Sequence, residues 1–232
     1  METVEFGGIT CFVKRSSRRT VCLRVRDDGE AEILAPRKAS AAEIVRLLEG
    51  YAPKIAAECE KNRQLAAKRE AFALDYGSRV RFLGGERVIR AGEHGYVGYD
   101  STDFYVPPSL SDDGIRAAVV AAYKQAARDY LNARVTVISD KMGLEPLAVK
   151  VNSAISHWAS CSKKSSLNFS FYCMMAEPEA VDYIIIHELC HMREFNHSRK
   201  FWAEVEKYCP DYKRYRMYLR DLWREIRTEK WE

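Results

Sequence analysis

Val181-Asp182-Tyr183-Ile184-Ile185-Ile186-His187-Glu188-Leu189-Cys190-His191 is the stretch on which the reading of this chain turns. Val181, Ile184, Ile185, Ile186 and Leu189 give it the apolar content of a buried helix, and Pro178 is suited to be that helix's first residue. On a helix, residues four apart share a face, so His187 and His191 can reach one ion together. Imidazole nitrogen suits zinc, and a catalytic zinc site keeps one position open for water. Glu188, next to the first ligand, can serve as general base toward that water. The pattern is HExxH. By chance it is expected in roughly one chain in a hundred of this composition. The bland alternative, a core helix that happens to carry two histidines and a glutamate, would bury those groups without partners at a cost of several kcal/mol, roughly.

The chain has five histidines, and three fall within eleven residues: His187, His191 and His197. Six residues past His191, an unbroken helix would turn His197 to the far face, so the helix must stop first. Asn196 tolerates the left-handed conformation that ends helices, and Ser198 can cap the next one. The spacing from His187 to His197 equals that of HExxHxxGxxH, with Glu194 in place of the glycine. Glu204 and Glu206 are the rival third ligands, as in a His₂Glu site. A purely structural zinc site, completed by Cys161 or Cys173, is a further alternative.

Outward from the motif, Thr20 to Arg26 alternates as a half-buried strand, Asp27-Asp28-Gly29 turns, and Glu30 to Ala35 returns. Ser40 can cap a helix to about Arg69, with Ile44, Leu47, Leu48, Tyr51 and Ile55 on one face. Asp75 to Pro107 reads as several short strands with glycine turns, and Asp113 to Met142 as a long helix closed by Gly143. Leu147–Val151 and Leu167–Cys173 read as strands flanking the Trp158 segment. The motif helix is expected to end near Phe195, with further helices after Ser198 and Asp211. The Trp158-Ala159-Ser160-Cys161-Ser162 segment is either a substrate-facing edge strand, to which an extended peptide adds by main-chain hydrogen bonds, or a core strand.

The 232 residues, 47% hydrophobic and 30% charged, suit one large domain or two small ones. No apolar run is long enough to span a membrane, and the acidic start is unlike a secretory signal, so a cytoplasmic protein is expected. Seven scattered cysteines without a CxxC pair read as core thiols rather than a disulfide framework. Cys161 as a nucleophile with His157 as base has little beyond its presence to support it. A net charge of +4 does not by itself call for nucleic acid. Lys14 to Arg26 holds six basic residues and no acid, and the tail from Tyr212 to Trp231 interleaves basic and aromatic residues. Both could hold phosphates and stack bases, but solvated faces with inward aromatics are the favoured reading. His94 reads as an exposed loop-tip residue.

The chain resembles the YgjP-like zinc metallopeptidases, relatives of the SprT-like proteases, over most of its length. The resemblance rests on Lys14-Arg15-Ser16-Ser17-Arg18-Arg19-Thr20, Leu23-Arg24-Val25, Ala35-Pro36-Arg37, His157-Trp158-Ala159-Ser160-Cys161-Ser162, Asp182-Tyr183, the HExxH stretch, Asn196-His197-Ser198 and Phe201-Trp202. The family has Arg and Gly where this chain has His157 and Ala159, so no role is carried over to those two. The resemblance implies a zincin-type fold with zinc at His187, His191 and His197.

The expectation is therefore an α+β chain, with an N-terminal β-rich lobe over 1–110 and a zincin-like catalytic lobe over 111–232. It is read as a zinc-dependent metallopeptidase acting on a peptide or protein substrate, with Glu188 as general base. The alternative is a nucleic-acid-binding module with a structural or vestigial zinc site, or an SprT-like protease recruited to DNA.

Overall fold

The computed structural model describes residues 2–93 and 95–231; His94 lies outside them. The chain divides into two compact units, Met1–Phe72 with Arg227–Lys230, and Ala73–Ile226 with Trp231–Glu232.

The first unit is a sheet with two helices. Strands β1 (Glu2–Phe6), β2 (Ile9–Ser16), β3 (Cys22–Val25) and β4 (Ala31–Pro36) run in the order β1-β2-β4-β3, with β2 and β4 parallel. Alternation on β4 sends Ala31, Ile33 and Ala35 inward, where Ile44 and Leu48 of α1 (Ala41–Leu48) and Ile55 and Cys59 of α2 (Ala52–Glu70) meet them. Ser40 caps α1 in a reciprocal capping box with Glu43. The single helix expected to Arg69 is broken by a 3₁₀ turn over Glu49–Tyr51, just before Pro53, which lacks the N–H to continue the ladder. Leu47 and Tyr51 are exposed instead of on the buried face.

The second unit holds two sheets and the remaining helices. Strands β5 (Arg79–Phe82), β6 (Gly85–Ala91), β7 (Gly98–Tyr99) and β8 (Asp103–Val106) form one sheet in the order β5-β6-β8-β7. The lobe expected over 1–110 takes in this sheet; by its contacts the sheet falls in the unit that begins at Ala73. The reason is aromatic. Phe82 meets Phe104 edge-on at 5.4 Å, and Phe104 packs at 5.0 Å on Tyr123 of α3 (Asp112–Met142), so the sheet shares a core with the long helix. That helix starts under Ser111 and stops at Gly143, whose φ of 63° is the left-handed end that glycine adopts without strain.

Strands β9 (Ala148–Asn152), β10 (Ala159–Cys161) and β11 (Ser166–Ser170) form a three-stranded sheet in the order β10-β11-β9, leaving β10 at an edge. Helix α4 (Pro178–Cys190) lies against α3, β10, α5 (Arg199–Tyr208) and α6 (Tyr212–Ile226). Nine of its thirteen residues are buried, among them Val181, Ile184, Ile185, Ile186 and Leu189. Each aliphatic side chain removed from water contributes about 1.5–3 kcal/mol, so burial from all sides, more than helix propensity, holds α4 in place. Arg134 of α3 fixes it laterally with a bidentate pair to Asp182, both bonds 2.6 Å. The class is α+β, as expected. No helix among the described residues is long and apolar enough to cross a membrane.

Candidate active site

His187 and His191 stand one turn apart at the C-terminal end of α4, and the chain turns back at once to bring His197 to them. The helix ends earlier than the sequence suggested. His191 is its C-cap, and Met192 and Arg193 donate to the carbonyls three residues back, of Leu189 and Cys190, winding the chain into a tight turn. Asn196 does not take the left-handed conformation expected of it, because the helix has already unwound before residue 196. Ser198 caps α5 as its sequence context predicts, its Oγ accepting from the Phe201 N–H at 3.3 Å.

Nε2 of His187 lies 3.2 Å from Nε2 of His191 and 3.0 Å from Nε2 of His197, and the three candidate ligand atoms all sit within 4.8 Å of one another. A tetrahedral ion with bonds of about 2.0–2.1 Å separates its ligand nitrogens by about 3.3 Å, which the two separations from His187 match, while the widest pair, within 4.8 Å, must close by up to about 1.5 Å to share the ion. The donor chemistry fits as well. Nδ1 of His191 is 3.1 Å from the Glu194 carbonyl, which favours the proton on Nδ1 and leaves the Nε2 lone pair facing the other rings. Burial and the neighbouring imidazoles hold His187 neutral, its pKa lowered to about 3, and burial also lowers that of His191. Nδ1 of His187 is buried and finds no hydrogen-bond partner among the described residues. That ring is instead held by packing.

The packing residue is Phe201. Its fully buried ring lies 4.9 Å from the His187 ring, 4.5 Å from that of His191 in a stacked arrangement, and 4.8 Å from that of His197. Trp202 stacks on His197 at 5.6 Å. Glu204, one rival ligand, is instead ion-paired with Arg193, which also donates to the Met142 carbonyl at 2.6 Å. Glu206 is exposed on α5, and neither glutamate belongs to the group that could hold a metal.

Glu188 is 6% exposed, and burial raises its carboxyl to about 7, against the lowering effect of a hydrogen bond from the Cys161 N–H. That bond follows from the register. Ser162 N–H donates to Ser166 O at 2.9 Å and Ser170 N–H to Trp158 O at 2.8 Å, so the even-numbered residues of this strand face β11. Ala159 and Cys161 therefore turn their backbone groups to the open edge. In this segment β10 is an edge strand beside the site, and Trp158 packs inward at 4.4 Å from Trp223. Among the described residues Cys161 has no histidine partner. Its thiol lies 3.5 Å from the Ser162 carbonyl and is pushed up to about 11 by burial and by Glu188, while His157 is 2.8 Å from the Ser156 hydroxyl. Neither Cys161 nor Cys173 joins the imidazole group, and all seven cysteines are free thiols.

A cleft of about 330 Å³ opens onto His187 and Glu188, walled by His157, Trp158 and Ala159 on the strand side and by Arg216, Leu219 and Arg220 of α6. Sequence reasoning missed α6 as a wall. The only signal was the helical spacing of Arg216 and Arg220 in a tail read as a solvated face.

Three imidazoles converging beside a buried carboxylate are the equipment of a metal-dependent hydrolase. The chain belongs to the YgjP-like family: the family profile described as YgjP-like, metallopeptidase domain matches residues 19–222. Membership makes it a metallopeptidase-type hydrolase and implies a metal ion and a peptide substrate. No curated protein matches the chain. The crystal structure of the metallopeptidase zymogen of Pyrococcus abyssi abylysin is similar to part of it, at 24% identity and a TM-score of 0.37, covering 43% of this chain and 97% of that one. A superposition that loose leaves the assignment to the family match.

Proposed function

We propose that the protein is a zinc-dependent peptidase in which His187, His191 and His197 hold the ion and Glu188 moves the proton. The observation that carries this reading is the convergence of the Nε2 atoms of His191 and His197 on that of His187, at 3.2 and 3.0 Å, beside a carboxylate that burial has raised to about 7. Zinc is favoured by an all-imidazole donor set, and when bound it supplies a Lewis acid that polarises the scissile carbonyl and acidifies a water. Glu188, oriented by the Cys161 N–H, accepts the proton of the attacking water as the new C–O bond forms. It then delivers that proton to the amine as the C–N bond breaks. A carboxyl poised near neutral pH suits both halves of that transfer. The outward backbone groups of Ala159 and the Cys161 carbonyl suit an extended peptide laid antiparallel or parallel along β10.

The nucleic-acid reading is less favoured. Of the six basic residues from Lys14 to Arg26, Arg15 pairs with Glu2, Arg24 with Glu32, and Arg26 with Asp28 and Glu30. The aromatic residues of the tail turn inward: Trp223 packs on Trp158 and Tyr172, and Tyr212 is buried. The test is elemental analysis of the purified protein together with turnover of an unfolded protein substrate. One zinc per chain, with cleavage stopped by a chelator and restored by zinc, is expected. Cleavage indifferent to the chelator would reject the proposal.

A further inference from the structure

The cleft beside Glu188 is unusual in its charge. Its only acid is Glu188 itself, while Arg216 and Arg220 line one wall and His157 the other. Arg216 and Arg220 are one helical turn apart, so both face the cleft, and Leu219, buried between them, anchors the helix there. Most arginines of this unit are spent on carboxylates, as Arg81 on Glu225, Arg90 on Asp103, Arg134 on Asp182 and Arg193 on Glu204. Arg216 is different. Among the described residues it has no acidic partner, and its guanidinium instead lies over the Trp202 ring, 5.2 Å from the centroid. A cation–π contact of that kind restrains the guanidinium against the ring while leaving N–H groups to donate elsewhere. Arg220 is 3.2 Å from Asp221, but that aspartate is shared with Arg224 at 3.0 Å, so the wall stays positive. Of the other lining residues, Trp158, Ala159, Ile184 and Leu219 are apolar or small, and Tyr183 adds a ring and a hydroxyl, so no further charge offsets the arginines.

We propose that this cleft reads a carboxylate on the substrate through Arg216, with Arg220 in support, so that the favoured scissile bond lies next to an acidic side chain or a free C-terminus. A planar fork held in place and unpaired matches a carboxylate better than any other group a peptide carries. The proposal rests on the peptidase reading above and adds the substrate class. Arg216 acts here on specificity, not on the proton transfer.

The experiment separates the two sources of carboxylate and the two readings. The zinc-loaded Glu188→Gln protein is titrated by fluorescence anisotropy with four labelled peptides of one extended sequence, carrying a central Glu or Gln and a free or amidated C-terminus. Because Arg216 is exposed, its contribution is discounted for solvent; about fivefold tighter binding of a carboxylate-bearing peptide than of its amide match is expected. Which pair shows the difference identifies the source. Adding Arg216→Ala should reduce that difference to less than about twofold, and Arg216→Glu should turn the preference toward a central Lys. Equal affinity for all four peptides, no binding of any, or an Arg216→Ala loss shared equally by all four would overturn the proposal. Turnover of the same peptides by the unsubstituted protein tests the other reading. Carboxylate-dependent binding without cleavage would remove the peptidase and leave the recognition site. Cleavage of all four at one rate would do the reverse.

Discussion

Truncating Phe201 to alanine should damage both the fold and the metal site, in proportions the structure sets. The ring is fully buried and lies within 5 Å, centroid to centroid, of all three imidazoles, with Trp202 at 5.1 Å on its remaining side. Removing a buried phenyl group costs about 3–5 kcal/mol, from lost transfer energy and the cavity left behind. A cavity at this position also releases the rings that Phe201 holds, above all His187, whose Nδ1 has no hydrogen bond to restrain it. Loss of ligand support typically weakens metal binding by about 10- to 100-fold. Urea denaturation in the presence of a chelator measures the first effect without contribution from the ion, and competition against a chromophoric chelator measures the second. Phe201→Leu keeps most of the volume and should cost about 1 kcal/mol, with a several-fold smaller effect on zinc, roughly in step. If Phe201→Ala lost less than about 1 kcal/mol, the ring would not be the core element described. If stability fell as stated while zinc affinity stayed unchanged in both variants, the idea that packing organises the ligands would fail.

Proton release should report that the site is prepared for metal. Three ordinary imidazoles would release about two protons on binding zinc at pH 6. His187 and His191 are both lowered, so fewer protons should leave; calorimetry in buffers of different ionisation enthalpy measures the number, and a value of two or more would contradict the shifts. The same shift gives the metal-free protein a pH dependence. Because folded His187 sits near 3 against about 6.5 when unfolded, its contribution to stability is complete above 6.5 and is lost as pH falls toward 3, which denaturation midpoints at pH 7 and pH 5 should show. Single-stranded DNA should bind no more tightly than the non-specific range of about 10⁻⁴–10⁻⁶ M at physiological salt. Nanomolar binding abolished by Arg18→Glu with Arg19→Glu would restore the nucleic-acid reading.

What could be seen in the sequence was whatever depends on neighbours along the chain. The helical pair His187 and His191, the caps at Ser40 and Ser198 and the stop at Gly143 are local, and all lie where their residue types place them. The path from His191 to His197 was harder. The need for a turn followed from helix geometry, but its form, bonds to the third residue back before residue 195 and no left-handed Asn196, depends on how α5 packs. That Glu204 is held by Arg193 could not be read at all, since the pair joins residues eleven apart across a turn. Which core the β5–β8 sheet shares is hidden from the sequence for a similar reason. Its composition resembles the N-terminal strands, and only the contact of Phe104 with Tyr123 shows which core it shares. The first hairpin, β1 with β2, escaped notice; it turns through Gly7 and Gly8, both at positive φ. Arg216 carried a helical spacing to Arg220, but which face of α6 meets the cleft is decided by the burial of Leu219, Leu222 and Ile226.

The most direct test of the account is turnover by Glu188→Gln at matched zinc content. The substitution keeps the side chain's size and its oxygen toward the Cys161 N–H while removing the group that accepts a proton. The account predicts one zinc per chain, bound as tightly as in the unsubstituted protein, and peptide hydrolysis lowered by at least about 10²-fold. Hydrolysis at the unsubstituted rate by the zinc-loaded Glu188→Gln protein would contradict it.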